Sequence, residues 1–457
     1  MRDINVSKPL GRVCRVRLQV ITVNNRVGEF PLIMIFIPLN KCFNNYSKFG
    51  EIVEENLTLL KLLKLKHLIY NFIFLSGIIS ILISCRPYSA KNKQSEIDSI
   101  AYKLVPDQRI GICRITVKTG KEGTLVLNGE TTNSEAKQEI ISTLSNHGIS
   151  LVDSILILPD TIQNEKFRGL VTLSVINLRK EPDHRSELVS QAILGTPVLI
   201  LKNEDSWLLI QTPDNYIAWT EKSSVSMMTS AEMSSWKQAD RVIYLENSGW
   251  IYTSPDQTGV VGDLVAGCIL KKTGESKGYA KIILPDGREG FINNRKVMNF
   301  GSWKSQVLCT EDNVCRIAST FLGLPYLWGG SSSKAVDCSG FVQSVYFMNG
   351  IILSRDASLQ ARHGLEVDIS NGYNQLKRGD LLFFGSRENS VPHVTHVAIY
   401  QGDNEYINSA GKVMINSLDP NDINYSGYRA NSLLMAKRII GIVSDNGIVP
   451  VIKHAWY

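Results

Sequence analysis

Residues 325–343 read PYLWGGSSSKAVDCSGFVQ, and the architecture turns on this stretch. A flexible loop, Gly329, Gly330 and Ser331 to Ser333, runs into an apolar series, Phe341, Val342, Val345, Tyr346 and Met348, spaced for one face of a helix. Cys338 then falls at the helix start. Free N–H groups and the positive end of the helix dipole there stabilise a thiolate, the form of cysteine that attacks carbonyls. Asp337 and Ser339 flank it as cap residues, so the stretch also reads as a plain helix N-terminus with a buried thiol.

A cysteine nucleophile needs an imidazole within hydrogen-bond reach and a polar group that fixes the ring's orientation. Between Cys338 and residue 450 the histidines are His363, His393 and His396. His396 is best placed, because it begins an alternating strand, THVAIYQG, with Ala398 and Tyr400 on the same side. His393, after Pro392 in a loop, is the alternative. The next strand, EYINSAGKVMIN, offers Asn408 as the orienting group. For His396 and Asn408 to share a face, paired positions must add to an even constant, such as 804, which requires an odd loop or a bulge around Gly402-Asp403-Asn404.

Upstream, two stretches repeat at an offset of 72 residues: Trp207 and PDNYIAW from Pro213 align to Tyr279 and PDGREGF from Pro285, and Gly195 aligns to Gly267. Short alternating strands with Pro-Asp-Gly-type turns imply two small β-barrels. They resemble bacterial SH3-like domains over 168–228 and 240–298, the first through VINLRKEPDHRSELVSQAILGTPVLIL. Earlier still, residues 111–160 alternate strand, helix and strand, with Ile140, Ile141 and Leu144 as the helix stripe and Gly148 ending it. This small α+β unit shows no cluster of titratable groups and is expected to act as scaffold. Residues 85–110 read as a tether.

The 457-residue chain carries a net charge of +6, but 11 Lys and Arg against 5 Asp and Glu lie in residues 1–85, leaving 38 of each beyond. The remainder is formally neutral, so no basic footprint for nucleic acid exists. Its eight cysteines include no C-x-x-C pair and match neither a zinc site nor a disulfide ladder; Cys309 and Cys315, six apart, read as small apolar residues near a helix, with a bridge between them as the alternative.

Residues 68–84, LIYNFIFLSGIISILIS, are an apolar run preceded by Lys61, Lys64 and Lys66 and followed by Cys85. This describes a secretory signal over 61–84. Leu82-Ile83-Ser84-Cys85 resembles the lipobox of bacterial lipoproteins, which implies cleavage before Cys85 and a lipid tether there. Residues 1–60, without clear periodicity, are expected to be a non-native extension of the reading frame. Arg86 stands where an aspartate can retain lipoproteins at the inner membrane, which points to the outer one and the periplasmic side.

PYLWGG, DCSGFVQSVY, RDAS, LKRGDLLFF and THVAIY occur in this order, and over 302–445 the chain resembles the NlpC-type family of papain-like bacterial cell-wall cysteine endopeptidases. With the two SH3-like barrels it is similar to the subgroup of dipeptidyl-peptidase VI, or γ-D-glutamyl-L-diamino acid endopeptidases. The implied fold class is α+β. The resemblance implies Cys338 as nucleophile and His396 as base. Asn408 stands where the family usually has histidine, and Tyr326, Asp337 and Ser339 surround the nucleophile. Asp356 in SRDAS matches the aspartate that receives the substrate's free amine, while Ser354 replaces a usual proline. The first barrel is expected to add Glu187 and Tyr216. The substrates implied are peptidoglycan stem peptides cut between D-glutamate and the diamino acid, with no metal or organic cofactor. A non-catalytic wall-binding lipoprotein and an acyltransferase on the same fold are the alternatives.

Overall fold

The computed structural model describes residues 90–121, 124–146, 150–161, 165–442 and 447–457, with two short strands, Gln19–Ile21 and Met34–Phe36. The chain forms two compact units, Met1–Pro87 and Tyr88–Tyr457. In the first, the two strands pair antiparallel. The signal segment 61–84 and Cys85 lie outside the described residues. Among the described residues, no helix is long and apolar enough to cross a membrane.

The second unit begins with a helix, Ala90–Leu104, where a tether was expected. Ile97 on it is 1% exposed and joins Val105 in the core formed by Ile115, Leu127, Ile140 and Leu144. An apolar position every turn or so suffices to bind an otherwise polar helix to a sheet. The sheet pairs Cys113–Thr119 antiparallel to Leu125–Thr131, which in turn runs parallel to Leu151–Ile157. The helix Ser134–Ser145 makes the crossover, its start capped by Asn133, whose side chain accepts from the Ala136 N–H.

Two seven-stranded sheets follow. The first contains Arg168–Val171, Val175–Arg179, Leu188–Ile193, Pro197–Glu204, Trp207–Gln211, Ile217–Glu221 and Val225–Met228. The second contains Arg241–Tyr244, Ser248–Tyr252, Val260–Val265, Ile269–Ser276, Tyr279–Ile283, Glu289–Asn293 and Val297–Asn299. Both run in the spatial order seventh, first, fourth, fifth, sixth, second, third. The 72-residue offset maps the third to sixth strands of one onto those of the other. Each sheet has its own apolar core. Gly195 and Gly267 both hold positive φ, and a Cβ on Gly195 would lie 1.8 Å from the Ile269 carbonyl oxygen, where the two barrels touch.

The last portion places the helix Cys338–Met348 against a six-stranded sheet ordered Leu365–Val367, Leu433–Arg438, Leu381–Glu388, Val391–Gly402, Glu405–Ala410, Lys412–Ser417. Phe341, Val342, Val345 and Tyr346 are wholly buried against Phe383, Val397, Ile399 and Ile407. A buried side chain of this size contributes about 1.5–3 kcal/mol, so the helix start is held firmly relative to the strand that carries His396. EYINSAGKVMIN forms two strands, turning at Gly411, whose φ is +76°.

Candidate active site

Cys338 occupies the first position of its helix, and Asp337 caps it: Oδ1 accepts from the Gly340 N–H at 2.7 Å and Oδ2 from the Gly329 N–H at 3.0 Å. The aspartate also receives Arg355, whose Nη2 lies 2.6 Å from Oδ2 and Nη1 3.1 Å from Oδ1. Arg355 is 1% exposed, and it donates further to Ser339 Oγ at 3.0 Å and Ser190 Oγ of the first barrel at 2.9 Å. Asp337 and Ser339 line the cleft, but their polar atoms are engaged in holding the nucleophile helix in place.

The strand that carries His396 meets the sulfur directly: the Val397 N–H, one residue on, hydrogen-bonds the Cys338 thiol. His396 is 5% exposed, with its ring 5.7 Å from that of Phe384. Its Nε2 lies 2.9 Å from Asn408 Oδ1. Asn408 Nδ2 donates to the Met414 carbonyl at 3.3 Å and to Asn416 Oδ1 at 3.0 Å, so the amide oxygen faces the ring. Nε2 therefore carries the proton and Nδ1 is the free acceptor.

This geometry depends on register. Ile399 pairs with Ile407 and Tyr400 with Tyr406, both adding to 806, an even constant. The turn is a two-residue one at Asp403 and Asn404, both with positive φ, and a bulge between Tyr400 and Gly402 absorbs the extra residue. The sum is 806, not 804, so Asn408 sits across from Ala398, diagonal to His396 on the same face. A second bulge between Phe384 and Gly385 puts His393 within the strand, opposite Ser386 and exposed, not in a loop.

Helix position alone suggested a thiolate, but burial outweighs it. Burial, and then the Asp337 charge, push the Cys338 thiol up to about 11, against the Val397 N–H. Burial and the Arg429 charge push the His396 imidazole down to about 3, against the Asn408 hydrogen bond. Both shifts favour the uncharged forms, so thiol ionisation is coupled to proton transfer to the imidazole as attack proceeds.

The cleft in front of Cys338 has a volume of about 630 Å³ and brings together Tyr326, Asp356, Glu187 and Tyr216. Tyr326 is raised to about 12 by burial and then by the nearby Cys338. Glu187 is exposed on the first barrel and accepts from the Trp328 indole N–H at 3.0 Å. Tyr216 belongs to the barrel core and also lines the cleft; burial and then the Asp356 charge raise its phenol. Asp356 is already paired: Arg109 Nη1 lies 2.7 Å from its Oδ2.

Residues 323–430 match the NlpC/P60 family, and residues 178–225 match the bacterial dipeptidyl-peptidase Sh3 domain. A probable endopeptidase NlpC homolog of Haemophilus influenzae is 31% identical over 140 residues, which cover 30% of this chain and 67% of that protein. The chain belongs to the NlpC/P60 family. It is a cysteine-type peptidase of mixed helix and strand with an SH3-like domain. A Bacillus cereus gamma-D-glutamyl-L-lysine dipeptidyl-peptidase is 27% identical over 232 residues, 49% of this chain and 68% of that one. The crystal structure of an NlpC/P60 family protein from Bacillus cereus shares the fold, with a TM-score of 0.51 and 22% identity over 60% of this chain and 99% of that one.

Two charged residues of this NlpC/P60 chain escaped the sequence reading. Arg355 lies inside the SRDAS motif, which was the usable signal, and it pairs with the cap Asp337 18 positions earlier. Arg109 corrects the view of residues 85–110 as a mere tether, since it reaches Asp356 from 247 positions away in the chain. Nothing in the local sequence marks it.

Proposed function

We propose that this peptidase hydrolyses the bond between γ-D-glutamate and the diamino acid of peptidoglycan stem peptides, acting on fragments with a free L-alanine amine. The observation that carries the reading is that Cys338 shares its cleft with two carboxylates, Asp356 and Glu187, supplied by the catalytic portion and the first barrel. An ammonium held there fixes the amino end of a short peptide, and its scissile carbonyl then reaches the sulfur. The name of the Bacillus cereus relative points to the same bond.

In this mechanism His396 Nδ1 takes the thiol proton while Cys338 Sγ attacks the γ-carbonyl carbon of D-glutamate. The Asn408 amide keeps Nε2–H in place throughout. The oxyanion meets the Cys338 backbone N–H, which has no helical acceptor at its position, and the Tyr326 hydroxyl. The imidazolium returns the proton to the departing amine of the diamino acid, leaving a thioester. Water, deprotonated by His396, then releases L-Ala-γ-D-Glu and restores the thiol.

Mass spectrometry of L-Ala-γ-D-Glu-L-Lys and L-Ala-γ-D-Glu-diaminopimelate incubated with residues 86–457 is expected to show L-Ala-γ-D-Glu and the free diamino acid. Intact tripeptide after long incubation refutes the assignment, and transfer of the dipeptide to an added amine in preference to water makes the protein an acyltransferase.

The apolar run before Cys85 supports a second part of the proposal, that the protein is held at the cell envelope by lipid on that cysteine, on the periplasmic side of the outer membrane. Labelled palmitate is expected to enter the full chain and to be lost in Cys85→Ala; equal labelling of both refutes the anchor.

A further inference from the structure

The segment between the helix Ala90–Leu104 and the strand Cys113–Thr119 leaves the α+β unit and runs along the mouth of the cleft. Its backbone is fixed to the first barrel, where the Ile217 N–H donates to the Arg109 carbonyl at 2.8 Å. Asp107 grips the Arg109 guanidinium from two sides, with Nε 2.9 Å from Oδ1 and Nη2 2.7 Å from Oδ2. Arg362 of the catalytic portion ties down Asp107 in turn, at 3.1 Å. So held, Arg109 Nη1 donates to Asp356 Oδ2 at 2.7 Å and to Ser358 Oγ at 3.1 Å.

A guanidinium has five N–H donors, and the Asp107, Asp356 and Ser358 contacts use four of them. Little is left with which to grip a ligand carboxylate. What Arg109 delivers to the cleft is charge, placed on the carboxylate proposed to meet the substrate's ammonium. One Asp356 oxygen is taken, and an incoming ammonium would sit within a few ångströms of a fixed positive group.

We infer that Arg109 sets the amine specificity of the enzyme: it competes with the substrate ammonium for Asp356 and so weakens the preference for an unsubstituted L-alanine end. This rests on the proposed reading of the cleft as an amine-binding site. Stem peptides whose amino end is blocked, such as those still joined to an acyl group, then compete better than they would against an unpaired Asp356. The bidentate hold of Asp107 makes the guanidinium a permanent fixture instead of a plug that substrate expels.

The test compares kcat/KM for L-Ala-γ-D-Glu-L-Lys and its N-acetyl form in wild type, Arg109→Gln, Arg109→Lys and Arg362→Gln. In Arg109→Gln the ratio of free to acetylated peptide is expected to rise about tenfold, the size of a like-charge contact at a half-exposed site. The change should fall mainly in KM for the free peptide and be smaller for the acetylated one. Arg109→Lys keeps the charge and should keep the wild-type ratio. Arg362→Gln loosens the docked segment while leaving the guanidinium on Asp356, and should also keep it. An unchanged or lower ratio in Arg109→Gln overturns the inference while leaving the proposed hydrolysis standing, as does equal loss on both peptides, which marks a purely architectural role. Failure of wild type to cleave either peptide overturns both.

Discussion

Cys338→Ala and His396→Ala are each expected to lower kcat/KM on a stem tripeptide by about 10⁴-fold or more, and the double variant should be no worse than either single one. Non-additivity follows from their working as one unit: a thiol held neutral by burial is inert without an acceptor for its proton, and the acceptor is idle without the thiol. The pH dependence tests the same point. A thiol raised to about 11 stays protonated as pH climbs through neutrality. Its thiolate fraction, and with it the rate of alkylation by iodoacetamide, therefore grows about tenfold per pH unit from pH 7 to 10. An imidazole lowered to about 3 is already unprotonated at pH 5, so protonation of His396 brings no acid limb near its ordinary value of 6.5. A plateau of alkylation between pH 5 and 8 would show a preformed thiolate–imidazolium pair and contradict the neutral resting state. Additive losses in the double variant would show that the two groups do not act on each other.

The parts of this site that could be read from sequence are those whose geometry is local or periodic. A cysteine ahead of an apolar helical stripe marks the helix start. Two strands joined by a short turn restrict which residues share a face: parity set the condition under which Asn408 could meet His396, and the bulge that meets it, with the constant of 806, is visible only in the structure. The barrels were legible because a repeat compares the chain with itself. By contrast, the ionisation of Cys338 depends on how deeply the surrounding core buries it, and helix position says nothing about that. Arg109 reaches Asp356 only because a separate unit docks against the first barrel, and no short-range pattern encodes such docking. The helix Ala90–Leu104 was missed for a related reason: a mostly polar sequence reads as a tether until the sheet that receives Ile97 is known.

The second large effect is expected at Arg355, which makes no reaction step of its own. Arg355→Gln should lower the unfolding free energy by about 3–5 kcal/mol, the range found when one member of a buried ion pair is removed. Burial alone would lower the guanidinium's affinity for its proton; the charge and hydrogen bonds of Asp337 overcome that and raise it. Without Arg355, Asp337 keeps its contacts to the Gly340 and Gly329 N–H groups, but its charge is left 7% exposed with no cation to meet it. The loss also cuts the bond to Ser190, and with it a direct tie between the nucleophile helix and the first barrel. Asp337→Asn combined with Arg355→Gln should recover part of the stability, because the stranded charge is gone, while peptidase activity stays low because the helix start is no longer fixed against the barrel that completes the cleft. Urea unfolding measures the first quantity and tripeptide hydrolysis the second. A loss under 1 kcal/mol in Arg355→Gln would mean that water reaches Asp337 readily. The cap would then be an exposed one, and the helix would owe its position to its buried face, Phe341, Val342, Val345 and Tyr346, and to the Gln343 bond to Asp214.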